Sequence, residues 1–160
     1  CGVGGFKRIT FMGNNSVTYE FLSTDIFERY DTHLVFSGVT RNSKRILKNI
    51  TDNLEKVQPL LETCDKAYDI LMSGDHERFL YLIGKSWSQK KKTSSTIVES
   101  DTIREIDSLL EKNETVCAHK LCGAGNGGFF LTFSEKGCLK LPYHCVKIDV
   151  ESNGVYGRTV

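Results

Sequence analysis

The sequence predicts an α+β domain in which helices pack on an antiparallel sheet. Strand-like segments occupy the first part of the chain, a helical block follows from residue 42, and strand-like segments return after residue 114. The regular strand–helix alternation of parallel sheets is missing. A length of 160 residues suits one domain with its own core, so we treat residues 1–160 as a single domain.

The first predicted strands form a hairpin. Residues 6–21 are rich in β-formers on both sides of a Gly-Asn-Asn turn at 13–15, a pattern typical of two paired strands. Residues 33–37 are a short apolar run that ends at Gly38, which indicates a buried strand.

The helical block begins where apolar residues start to recur every three or four positions. This spacing predicts helix from Asn42 onward, with a kink or break near 57–58 because Pro59 falls inside the pattern. A second stretch continues to residue 72, Asp75 is expected to cap another helix, and a further helix starts at Ser100. The last strands are predicted at 115–121, 129–133, 145–150 and 155–160.

Composition excludes several classes of function. The 21 Lys and Arg residues nearly balance the 20 Asp and Glu residues, so no overall field attracts nucleic acid or an anionic membrane. No apolar run approaches the length of a membrane span and no signal segment opens the chain, from which we expect a cytoplasmic protein. The six irregularly spaced cysteines contain no C-x-x-C pair, so we expect free thiols and no metal site.

A glycine-rich loop carries most of the functional information. Residues 123–128 contain four glycines and lead directly into the aromatic run at 129–133. Glycines permit positive φ and close backbone approach, and successive exposed N–H groups form a concave anion site. The plainer alternative is a tight turn between two strands.

The loop also contains G-x-G-x-x-G, but two familiar interpretations of that motif do not fit. A dinucleotide-binding fingerprint requires a helix after the loop, whereas residues 129–133 are strand-like. A protein-kinase glycine loop opens a large domain, whereas only 32 residues follow Gly128.

Four ordered segments together resemble the C-terminal half of the GHMP small-molecule kinases, most closely the branch that phosphorylates heptose phosphates and related sugars. The segments are Gly4-Gly5-Phe6, residues 34–47, Gly74-Asp75 with residues 87–91, and residues 120–133. The resemblance spans nearly the whole chain and implies a ferredoxin-like α+β domain. One departure is that the helix usual after the glycine strand has little room here, since only residues 134–137 precede Cys138.

The resemblance implies an activity shared between two halves of a longer protein. Kinases of this kind transfer the γ-phosphoryl group of ATP, with Mg²⁺, to a sugar hydroxyl. Their phosphate-binding loop is absent from this chain, and their catalytic aspartate is expected upstream of Cys1. The implied active-site loop comprises Gly123, Ala124, Gly125, Asn126, Gly127 and Gly128, and the implied substrate contacts are Gly4, Gly5, Arg41 and Lys91.

Several alternatives stay open. A domain of this type can also act as a non-catalytic ligand-binding or regulatory module, because fold does not determine function. Arg41 also suits a surface or capping role, and the lysine run at 90–92 also suits a solvated helix end. We interpret Trp87 as a core residue, and His33 and His119 as structural histidines. We expect the chain alone to be inactive.

Overall fold

The computed structural model describes residues 4–13, 16–40 and 54–154. Within those ranges, none of the helices is both apolar enough and long enough to cross a membrane. The strands are β1 (Lys7–Phe11), β2 (Val17–Phe21), β3 (Tyr30–Phe36), β4 (Val116–Leu121), β5 (Phe129–Glu135) and β6 (Cys145–Ile148). The helices are α1 (Asp25–Arg29), α2 (Gln58–Met72), α3 (His76–Thr93) and α4 (Asp101–Lys112), with 3₁₀ turns at Leu54–Lys56 and Ser95–Val98.

The main sheet has four antiparallel strands in the order β4-β5-β3-β6. When the strands are renumbered 1 to 4 along the chain from β3, this order becomes 2-3-1-4, which is the ferredoxin-like order. The predicted α+β fold is therefore confirmed. β5 and β6 flank β3 and run parallel to each other, yet the chain crosses between them through residues 136–144 without a helix. Such crossovers ordinarily use about a dozen or more residues and a helix. The shortened connection agrees with the departure noted in the sequence.

The two faces of the sheet are covered unequally. Because side chains alternate along a strand, Leu121 of β4 and its partner Phe130 of β5 share one face. The 3₁₀ turn and α4 cover that face with Ile97, Ile103, Ile106 and Leu110, and Leu141 and Tyr143 of the short crossover pack against the same cluster.

The opposite face is open at one end. Ala118 and Phe133 lie beneath Leu71, Phe79 and Leu80 of α2 and α3. Farther along the same face, the paired residues Lys120 and Leu131 are only partly buried, and Val146 of the edge strand is exposed. Among the described residues, this end of the second face is therefore less covered than the first face.

Most element predictions are confirmed. The break near Pro59 separates the 3₁₀ turn Leu54–Lys56 from α2, which has Pro59 in its first turn. Asp75 caps α3, since its carboxylate accepts a 3.0 Å hydrogen bond from the N–H of Arg78. The sequence did not indicate α1, which has five residues and buries only Ile26. The helix predicted over 42–53 and the strand predicted at 155–160 lie outside the described residues.

Candidate functional site

The glycine loop adopts the backbone conformation that its composition predicted. Its four glycines all have positive φ, from 75° at Gly123 to 151° at Gly127, and Asn126 has φ of 49°. A non-glycine residue in this region is uncommon, although asparagine tolerates it better than most. The loop is thus a run of left-handed residues and not a simple two-residue turn.

Asn126 attaches the middle of the loop to the start of α4. Its N–H donates to the carbonyl of Ile97 at 2.7 Å, and its side-chain Oδ1 accepts from the N–H of Ser100 at 2.7 Å. Ser100 is the N-cap residue of α4, so this contact satisfies a donor at the helix start. Gly125 packs so closely on the same turn that a Cβ there would lie 3.0 Å from the Cα of Ile97.

The two ends of the loop are also held. Lys90 of α3 donates from its ammonium group to the carbonyl of Gly123. At the other end, the N–H of Gly128 donates to the carbonyl of Val39 at 2.9 Å, and its carbonyl accepts from the N–H of Ser37 at 3.0 Å. The loop therefore has a defined position relative to α3, α4 and the segment after β3.

Several other N–H groups of the loop are not used within the described part of the chain. Among the described residues, the N–H groups of Ala124, Gly125 and Gly127 meet no hydrogen-bond acceptor. Gly125 and Gly127 are buried, and a buried N–H without a partner is costly. An anionic oxygen placed against this loop would satisfy these donors, and the anion site stays a prediction.

A buried carboxylate connects α3 and α4, the two helices that contact the glycine loop. Asp107 of α4 receives hydrogen bonds from Trp87 Nε1 and Lys91 Nζ of α3, both at 2.6 Å. Nε2 of His119 on β4 lies 2.8 Å from the same carboxylate. Burial raises the pKa of Asp107, but the hydrogen bonds from His119, Lys91 and Trp87 outweigh that effect and hold it at about 2. Asp107 is therefore charged throughout the neutral range.

A groove runs along the open face of the sheet. A cavity of about 610 Å³ is lined by Gly4 and Gly5 and by side chains of the sheet that include Lys120 and Ile148. At Gly4, a Cβ would lie 2.5 Å from the carbonyl oxygen of Ser152, so a larger residue would not fit there. The N–H of Gly5 donates to the carbonyl of Glu151 at 2.7 Å.

A second cavity adjoins the first. It measures about 460 Å³, lies between β1, α2 and α3, and shares Phe6, Phe79, Ile83 and Lys120 with the groove. Lys90, which holds the glycine loop, also lines it. Within the described ranges no acidic side chain pairs with Lys120. Asp149 and Glu151 also line the groove, so Lys120 shares it with two carboxylates but forms no ion pair with them. An ammonium that is not ion-paired can bind a negatively charged ligand.

The structure separates the sequence-predicted site residues into three groups. Gly4 and Gly5 line the groove, and the ligand contact of the loop residues 123–128 stays a prediction. The ammonium group of Lys91 lies on Asp107, and the neighbouring Lys90 reaches the loop instead. The substrate contact of Lys91 stays a prediction, and Arg41 lies outside the described residues.

Sequence reasoning missed Lys120 and Asp107. Lys120 was visible as the one charged residue just before the glycine loop, but only the pairing of β4 with β5 shows that it faces the groove. Asp107 resembled an ordinary surface residue of an amphipathic helix. The structural interpretations of Trp87 and His119 are confirmed, since both are buried and bonded to Asp107.

The described part of the chain contains no cluster of three or more His, Cys, Asp or Glu residues arranged to hold a metal ion. Its five described cysteines are free thiols.

No family model matches the sequence. A curated relative, the D-glycero-alpha-D-manno-heptose 7-phosphate kinase of Campylobacter jejuni, is 29% identical over an alignment of 144 residues. That alignment covers 82% of this chain and 41% of the kinase, so the chain spans about two fifths of this relative's length.

Two solved kinases share the fold. Lactococcus lactis galactokinase in complex with galactose matches with a TM-score of 0.65 and 13% identity, covering 92% of this chain and 51% of that structure. Methanococcus jannaschii mevalonate kinase matches with a TM-score of 0.61 and 17% identity. That match covers 85% of this chain and 44% of the mevalonate kinase. The chain is thus similar in sequence to part of a heptose 7-phosphate kinase and similar in fold to part of a galactokinase and of a mevalonate kinase.

Proposed function

We propose that this chain is the C-terminal half of an ATP-dependent sugar-phosphate kinase, which transfers a phosphoryl group to a sugar hydroxyl. The observation that carries the proposal is the glycine loop, held at both ends, with N–H groups that meet no acceptor among the described residues. Lys120, just before the loop, lines the groove. The sequence similarity to a heptose 7-phosphate kinase supports a phosphorylated substrate.

The chain's own residues suit the positioning part of such a reaction. Phosphoryl transfer depends mainly on alignment and on stabilisation of charge on phosphate oxygens. The N–H groups of Ala124, Gly125 and Gly127 would bind such oxygens, and fixed donors need no reorganisation during the reaction. Lys90 and Asn126 contribute by holding the loop in place.

Lys120 would bind the phosphate that the sugar already carries. Its side chain lines the groove together with the apolar residues Phe6 and Ile83, and Asp149 and Glu151 line the same groove without forming an ion pair with it. A charge-assisted hydrogen bond to phosphate is stronger there than in open water. A heptose phosphate is our first choice of substrate, with another hexose or a deoxysugar as the alternative.

ATP and Mg²⁺ would be held mainly by the other half of the enzyme. The described residues offer N–H donors for a phosphate but no carboxylate cluster for a cation. We therefore assign the Mg²⁺ ligands, the phosphate-binding loop and the catalytic aspartate to residues upstream of Cys1. Mg²⁺ would neutralise charge on the transferred phosphoryl group.

The test compares this chain with a longer polypeptide that also contains the upstream half. We expect phosphorylation of a heptose phosphate by the longer polypeptide with ATP and Mg²⁺, and no turnover by this chain alone. Turnover by this chain alone would refute the division of the site. Tight binding of a small ligand by this chain, with no turnover by the longer polypeptide, would support the non-catalytic binding module instead.

A variant pair connects the activity to the groove. Lys120→Met in the longer polypeptide should raise KM for the sugar phosphate about tenfold or more, because it removes a charge-assisted contact. Lys85→Met, on the exposed surface of α3, is the matched control and should leave KM unchanged. Equal changes in KM for the two variants would show that Lys120 does not bind the sugar phosphate.

A further inference from the structure

A third cavity, of about 450 Å³, lies between α3, α4 and β4, which is an edge strand of the main sheet. Among the described residues, it shares none with the groove and only Trp87 with the second cavity. Its volume falls in the range of pockets that bind small molecules. The proposed phosphoryl transfer makes no use of this cavity.

The outer edge of β4 forms one wall of this cavity. Four consecutive residues, 116–119, line it. A β-bulge between Val116 and Ala118 interrupts the pairing with β5 at Cys117. Bulges redirect the side chains around them and are frequent next to active sites. The wall is thus an irregular stretch of an edge strand and not one face of a regular sheet.

His119 places polar groups at this wall that no described residue satisfies. The N–H of Cys122 donates to the carbonyl of Phe129 at 2.9 Å, so alternate residues of β4 point their backbone groups toward β5. The N–H and C=O of His119 therefore point to the outer edge. Within the described ranges neither group meets a partner, and neither does Nδ1 of the ring. His119 is only 9% exposed, and buried polar groups are ordinarily hydrogen-bonded.

Gly84 leaves open space on the α3 side of the cavity. It lies in the interior of α3, where glycine destabilises a helix relative to alanine. A Cβ at this position would have no atom within 4 Å, so close packing inside the described part of the chain does not require a glycine here. The space in front of Gly84 is therefore room that a ligand can occupy.

The charges around the cavity favour an uncharged ligand with hydrogen-bonding groups. The ammonium of Lys91 lies 2.6 Å from Oδ2 of Asp107, so its charge is already balanced. The exposed lining residues Lys85 and Glu111 carry opposite charges. The N–H and C=O of His119 match a ligand that offers an acceptor next to a donor. Because Lys91 adds donors and no acceptor, an oxo group suits this cavity better than an amino group.

We propose that this cavity binds a small, uncharged, planar heterocycle through a lactam edge, the –CO–NH– group that uracil and hypoxanthine carry. The lactam oxygen accepts from the N–H of His119, and the lactam N–H donates to the carbonyl of His119. The apolar side chains of Leu80, Leu110 and Ala118 pack against the ring. The site does not depend on the proposed kinase activity, because it shares no described residue with the groove.

Amide NMR of this chain tests the site, with uracil and hypoxanthine as the probes. We expect at least one probe to cause saturable shifts at the amides of His119 and Gly84. Its N-methylated analogue, which lacks the lactam N–H, should bind about tenfold more weakly or less, because the carbonyl of His119 loses its donor. Gly84→Leu should fill the open space and weaken binding of the same probe about tenfold or more, and Gly84→Ala should weaken it less.

Three results would overturn the proposal. They are the absence of saturable shifts with either probe, equal affinity for a probe and its N-methylated analogue, and shifts confined to residues of the groove. The comparison of probe and analogue uses the unsubstituted chain, so it decides the question even where Gly84→Leu does not fold. These measurements involve neither ATP nor phosphoryl transfer, so a failed kinase assay leaves them interpretable.

Discussion

Asn126 and Ser100 are joined by a 2.7 Å hydrogen bond that connects the glycine loop to the first turn of α4. The amide oxygen of Asn126 accepts from the N–H of Ser100, while its own N–H donates to the carbonyl of Ile97. One side chain thus fixes the loop and caps a helix.

The first prediction tests that tie. Asn126→Ala should lower the free energy of unfolding by about 1–3 kcal/mol, because it keeps the strained φ and removes the acceptor of the Ser100 N–H. Asn126→Gly should be less destabilising, since glycine adopts φ of 49° without strain. Hydrogen exchange at the Ser100 amide should accelerate in both variants. Wild-type exchange at Ser100 in Asn126→Ala would contradict the assigned contact.

The second prediction concerns the close approach at Gly125. Gly125→Ala should destabilise the fold by about 1–3 kcal/mol, since φ is 128° and the new Cβ would lie 3.0 Å from the Cα of Ile97. Gly84→Ala is the control, because Gly84 lies inside α3 with no atom within 4 Å of the new Cβ. It should stabilise the helix by up to about 1 kcal/mol. Thermal unfolding measures the stability of both variants. A Gly125→Ala variant as stable as the original chain would refute the close contact between Gly125 and Ile97.

The third prediction concerns the buried carboxylate of Asp107. Asp107→Asn should cost about 3 kcal/mol, because it leaves Lys91 and His119 without their charged partner. Arg29→Gln, which breaks an exposed pair with Glu77, should cost less than about 1 kcal/mol. Urea unfolding of the three proteins measures both differences. Equal midpoints for the two variants would show that the Asp107 cluster adds little.

The fourth prediction is the acid dependence of stability. The pKa of Asp107 is about 2 in the folded chain and about 3.9 in an unfolded one, so the unfolded state takes up a proton first as the pH falls. The resulting stabilisation, about 2–3 kcal/mol, is complete above about pH 5 and is lost progressively as the pH falls from about 5 to 1.

Asp107→Asn should remove that part of the acid slope. The slope that remains would include Asp31, whose pKa is lowered mainly by a hydrogen bond from the N–H of Gly137, with a further contribution from Lys147. Urea titrations at several pH values between 2 and 6 measure the difference. An unchanged slope in Asp107→Asn would contradict the assigned pKa.

Features that depend on neighbouring residues in the chain were predictable from the sequence. The cap at Asp75, the break at Pro59 and the positive φ values of the glycine loop each depend on a few adjacent residues. Local sterics and local hydrogen bonds decide these features, and they act on the chain before it is packed. The α+β fold followed from the order of such segments.

Features that depend on residues far apart in the chain appeared only in the tertiary structure. Lys91 and Lys90 are adjacent and chemically alike, yet one lies on Asp107 and the other on the glycine loop. The sequence could not separate them, because the direction of each side chain depends on where α4 and β4 pack against α3.

The hairpin β1–β2 is another feature whose packing could not be predicted from the sequence. In the structure it has one apolar and one polar face, and a buried apolar face is the ordinary outcome. The contacts of Arg8 and Glu20 with α2 reverse that outcome in this chain. The sequence by itself determined which segments form strands, helices and the glycine loop, because local propensity and spacing encode them. Only the tertiary structure decided which faces are covered and which charges are paired, because both depend on contacts between distant elements.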